Sequence, residues 1–168
     1  IGRTLLAETQ SQARDEHLFD LVSHLNLGSS FIKTDTERIE VVELNLQAAQ
    51  QAWLATAYAA AATYTQTAIS LLAADGWQAH YLLTLKLHQL AAEATYLKRD
   101  FEQSEYHIAA ILTNAQSLID RVPAYTSQIL VYQAQNLTNE AIETGLAVLD
   151  ELGLTLLESA PEGLSVQT

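Results

Sequence analysis

Apolar residues recur at helical spacing along nearly the whole chain, and that periodicity constrains the fold more than anything else in the sequence. Only two prolines and six glycines interrupt 168 residues, while alanine, leucine, glutamine and glutamate fill long stretches. These residues lose little freedom in a helix, so an all-α fold is predicted. A first helix is expected over about Thr9 to Leu25, followed by a turn at Asn26, Gly28, Ser29 and Ser30. Thr34 or Asp35 can cap a second, which carries Ile39, Val42, Leu46, Ala49 and Trp53 inward. A third is expected from Thr56 to Ala73, ended by Asp75-Gly76, and a fourth from about Trp77 to Leu97. Lys98-Arg99-Asp100 connects tightly to a fifth, Phe101 to about Leu118. Pro123 marks a gap before a sixth, Tyr125 to Ala134, and a seventh covers Asn139 to Leu152 with Gly153 as its cap.

The seven helices pair into hairpins. Ala49, Ala61 and Ala68 supply small residues to the first pair, and Ala92, Ser104, Ile108 and Ile111 serve the second. Tyr132, Ala141 and Val148 take matching places in the third. Small residues belong where two helix backbones cross closely. The expected architecture is therefore antiparallel helix hairpins stacked as a degenerate tetratricopeptide-like solenoid, an α-α superhelix. Ala61, Ser104 and Ala141 lie 43 and 37 residues apart, against about 34 in a regular repeat. Thr65 and Gly145 stand where an aromatic is usual. An irregular helical bundle is the alternative. Residues 1–33 read as a helix and turn leading in from an upstream domain, 34–160 as the repeats and 161–168 as a tail.

Charge narrows the partners. Eight Lys+Arg against twenty Asp+Glu give a formal net charge of −12, which disfavours nucleic acid and anionic membrane surfaces. No apolar run approaches the roughly 20 residues a bilayer requires. Cysteine is absent, which removes disulfides and thiol chemistry, and a cytoplasmic location is expected. Methionine is absent too, including at position 1, so Ile1 is read as an internal residue of a longer protein.

No phosphate-cradling glycine loop, zinc-protease helix or nucleophile elbow occurs. His17 and His24 lie seven apart and His80 and His88 eight apart, and two helical turns, about 12 Å, are too far to share a metal ion. These histidines are expected to be partly exposed. Glu102 and Glu105, and Glu140 and Glu143, are expected on solvated helix faces. No catalytic, cofactor or metal residue is assigned, and the segment is read as non-enzymatic. Stacked hairpins would turn the first helix of each pair inward, projecting Glu43, Gln50, Trp53, Lys86, Gln89 and Glu93 into a partner groove.

Several stretches resemble the helical region that follows the AAA-like ATPase domain in large cyanobacterial signalling proteins. Those proteins join a serine/threonine kinase domain, the ATPase, this region, a GAF domain and a sensor histidine kinase. The stretches are Ile1-Gly2-Arg3 with Leu5-Leu6, His17 to Asn26, Leu44 to Ala52, Ala91 to Glu102 and Asn139 to Gly153. Ala49 and Arg99 depart from the family, which often has glycine at both places. The resemblance implies a non-catalytic segment that couples neighbouring domains or a protein partner in an ATP-dependent signalling kinase. A free-standing peptide-binding adaptor of the tetratricopeptide-like kind is the alternative.

Overall fold

A computed structural model describes residues 17–72 and 74–154, and every described element is helical. Helix α1 covers 17–27 and a single 3-10 turn covers Ser29–Phe31. Then follow α2 (Asp35–Leu54), α3 (Tyr58–Leu71) and the one-turn α4 (Gly76–Ala79). The chain continues with α5 (Tyr81–Leu97), α6 (Phe101–Asn114), α7 (Leu118–Ala134) and α8 (Thr138–Glu151). The expected start of the first helix at Thr9 and the tail past Pro161 lie outside the described residues.

Short polar side chains set the starts of α2, α6 and α7. Thr34 accepts from the Glu37 N–H at 3.2 Å, Asp100 from the Gln103 N–H at 3.3 Å and Ser117 from the Asp120 N–H at 3.2 Å. Each satisfies one of the orphan donors of a first turn. The Ser117 cap corrects the expected gap at Pro123, which lies inside α7. Proline there forfeits one N–H, the one the Ile119 carbonyl would accept, but a helix already capped and begun continues through it. Correspondingly α6 stops at Asn114 and not near Leu118, because Ala115 turns extended (ψ 130°) to carry the chain to its next cap. The third helix likewise ends at Leu71, with Leu72 extended, short of the expected Ala73. Where one helix from Trp77 was expected, α4 and α5 break at His80. Thr84 braces that break by donating to the carbonyls of Gly76 at 2.9 Å and His80 at 3.0 Å. A side chain at Gly76 would meet Thr84 Oγ1 at 3.3 Å and Leu72 Cβ at 3.4 Å, so the close approach needs glycine or a neighbour that gives way.

Three antiparallel hairpins follow one another: α2 with α3, α5 with α6, and α7 with α8. Their three-residue turns are built alike. Thr56, Arg99 and Asn136 each take a left-handed conformation, with φ of 59°, 65° and 62°. The next residue donates back across the turn, Ala57 to Ala52, Asp100 to Thr95 and Leu137 to Tyr132, at 2.8–2.9 Å. This is the Schellman closure, which satisfies carbonyls that a helix end would otherwise strand. Five residues beyond each left-handed position come Ala61, Ser104 and Ala141, all buried. Ser104 adds a bond of its own, donating to the Ala92 carbonyl at 2.9 Å across the second hairpin.

Successive hairpins pack through α3 on α5 and α6 on α7, while α5 also touches α2 and α7. The packing is compatible with a helical repeat. Val42, Leu46, Ala68 and Leu87 centre one cluster; Leu85, Ile108, Ile111 and Val131 centre another. Thr65, standing where an aromatic was usual, is fully buried and donates to the Ala61 and Ala62 carbonyls. Two polar devices fix the joints. Asn26 on α1 and Asn45 on α2 exchange reciprocal amide bonds at 2.9 and 2.8 Å, and Asn45 also donates to the Val41 carbonyl. At the head of α5, the Tyr81 hydroxyl donates to Asp120 Oδ2 at 2.7 Å and accepts from the Gln116 N–H at 2.9 Å. That pair of bonds ties α5 to the segment leading into α7. No described helix is long and apolar enough to cross a membrane.

Candidate functional site

The first helices of the three hairpins, α2, α5 and α7, lie side by side and leave clefts between them. Trp53 stands at the boundary of two. On one side a cleft of about 520 Å³ is lined by Leu18 of α1, by Gln47, Gln50, Gln51 and Leu54 of α2 and by Leu90 of α5. On the other a cleft of about 380 Å³ runs between α5 and α7, lined by Glu93, Tyr96, Leu97, Val122, Pro123, Thr126, Ser127 and Leu130. Leu54 (70% exposed), Leu97 and Leu130 leave apolar surface open to solvent here.

Of the six residues expected in a partner groove, the structure brings three to these clefts. Trp53 lines both, Gln50 lines the first and Glu93 the second. Glu43 and Lys86 are exposed on the same helices but line neither cleft, and Gln89 is half-buried outside them. Glu93 is half-buried too, and that burial holds its carboxyl above the usual carboxylate range. It is the only charged side chain lining the second cleft. The Trp53 indole N–H is buried and meets no acceptor among the described residues. Pro123 and Leu130 were not expected beside these residues, because Pro123 read as a break and its helix was placed downstream.

A second constellation lies between α5 and α6, and it corrects the expectation of partly exposed histidines. His17, His24 and His80 are exposed, but His88 and His107 are 4% and 1% exposed. Their Nδ1 atoms approach to 3.1 Å, so one ring donates and the other accepts. Trp77 stacks on His88 with centroids 5.2 Å apart. Burial lowers both imidazoles to about 4; for His107 the nearby His88 lowers it further while Asp100 opposes. The rings are therefore uncharged at neutral pH, a packed polar pair. Nothing local in the sequence signals it, since the partners lie on different helices. Among the described residues no group of three or more ligating side chains gathers to hold a metal ion. Glu102, Glu105, Glu140 and Glu143 are exposed, as expected of solvated faces.

No family model, no curated protein and no solved structure matches the chain.

Proposed function

We propose that this chain is a non-catalytic, degenerate tetratricopeptide-like helical-repeat segment that docks protein and couples neighbouring domains of a large ATP-dependent signalling kinase. The observation that carries the docking role is the open face of α2, α5 and α7, with Trp53 set between two clefts. Aromatic anchors beside pockets dominate protein recognition energetics. The repeated left-handed turns at Thr56, Arg99 and Asn136 support the repeat reading, because one closure recurs at each hairpin. The kinase context rests on the resemblance alone. Hairpins that share interfaces transmit displacement from one to the next, which suits a coupling segment.

The same face would serve a separate peptide ligand, since its clefts are of side-chain size and Trp53 lines both. One experiment separates the two roles. A photo-crosslinking amino acid at Gln50, exposed and lining the first cleft, is placed in the full-length gene product and crosslinks are mapped by mass spectrometry. Crosslinks to another domain of the same polypeptide, changing with bound nucleotide, are expected for a coupling segment. Crosslinks to a second protein move the role to an adaptor. A face that crosslinks to nothing under either condition overturns both.

A further inference from the structure

The cleft between α5 and α7 combines apolar walls with a single carboxylate. Leu97, Val122 and Leu130 form much of the wall, and Glu93 carries the only charge. No lysine or arginine lines the cleft to balance it. Burial consequently disfavours the ionised form of Glu93, which would be reversed by a cation brought alongside. Trp53, on the same wall, adds aromatic surface beside that carboxylate. The occupant must therefore bring a cation and apolar surface together. A chain of net charge −12 attracts basic partners and repels acidic ones.

We infer that this cleft receives a lysine or arginine side chain from a basic segment of a protein partner, resting on the docking role proposed above. The alkyl stem lies against Leu97, Val122 and Leu130, where long cationic side chains cover apolar surface while their heads stay polar. The ammonium or guanidinium meets the Glu93 carboxylate, beside the Trp53 ring.

The test uses the intact chain and three short labelled peptides alternating leucine with lysine, glutamate or threonine. Anisotropy gives affinity, and tryptophan emission, compared with Trp53→Phe, reports occupancy of the cleft. Glu93→Gln removes the charge at the site, and Glu43→Gln removes one from an exposed position of the same face. The lysine peptide should bind and shift the Trp53 emission, weakening about tenfold or more in Glu93→Gln and less than about twofold in Glu43→Gln. Equal weakening in the two variants would mean diffuse attraction to an acidic surface and overturns the inference. A glutamate or threonine peptide that shifts Trp53 emission as well as the lysine peptide also overturns it, yet leaves the docking role standing. If no peptide shifts Trp53 the inference falls, and the Gln50 crosslinks decide separately whether the docking role falls with it. Circular dichroism of each variant confirms that the fold is retained.

Discussion

Acidification from pH 7 to pH 5 should destabilise this protein through two imidazoles and little else. His88 and His107 have folded-state values of about 4 against 6.5 for a free imidazole. As pH falls through 6.5 the unfolded chain takes up protons that the native chain refuses until about 4. Stability is thus whole above the upper value, declines between the two, and levels off below the lower one. At pH 5 each ring costs about 2 kcal/mol, so the pair costs about 4 kcal/mol. That is a large share of the roughly 5–15 kcal/mol by which domains are stable. The carboxylates act elsewhere: Asp100 and Asp120 are held below 3.8 by hydrogen bonds from Lys98 and Ser117, so their contribution disappears at lower pH. Glu93, raised by burial, works in the opposite sense and gains a little as it protonates. Urea unfolding followed by far-UV circular dichroism at pH 7, 6 and 5, at constant ionic strength, measures the loss directly. The double variant His88→Leu with His107→Leu should show a much flatter profile. A wild-type loss under about 1 kcal/mol, or an equal loss in the double variant, would refute the reasoning.

Three further substitutions probe the packing and the turns by equilibrium unfolding. Ala61→Leu adds bulk where α2 and α3 cross at a fully buried position, and should cost about 1–3 kcal/mol. Thr56→Gly relieves a β-branched residue at φ 59°, and should stabilise by about 0.5–1 kcal/mol once glycine's added chain entropy is subtracted. Asn45→Ala strands the Asn26 amide and removes three hydrogen bonds at a fully buried position, costing about 1–3 kcal/mol. An unmoved urea midpoint in any of these would contradict the corresponding contact.

The small-residue register was legible in the sequence. Ala61, Ser104 and Ala141 were spaced by 43 and 37 residues, and the left-handed turn positions Thr56, Arg99 and Asn136 repeat those intervals. A crossing helix leaves no room for a larger side chain, so it writes itself into composition. The turns themselves were harder to read, because none of the three carries the glycine that usually marks such a conformation. Hydrogen bonds across the turn hold threonine, arginine and asparagine there instead. Pro123 misled for a related reason: its breaking tendency was overridden by a cap at Ser117 that lies six residues away. The linings of the clefts were legible in part. Trp53 and Glu93 followed from helical periodicity on two helices, whereas the opposite wall depended on where α7 begins. The histidine pair was invisible, since contact between α5 and α6 is a property of the fold and not of either helix.

The two bonds at the Tyr81 hydroxyl give the third hairpin a mechanical character. They pin the chain on both sides of Ser117, at the entry to α7 and at the head of α5. From that pin α7 extends 17 residues, an arm of about 25 Å. Pro123 and Leu130 are set at increasing distances along the arm, on the cleft side. A rotation of only about 5° about the pinned end would carry the far end through about 2 Å over that length. A group seated beside Leu130 would therefore push on α7 at about three times the distance from the pinned end of one seated beside Val122. Because α7 also packs on α5 and α6, any such rotation must shear those contacts, and most of all at the far end of the helix.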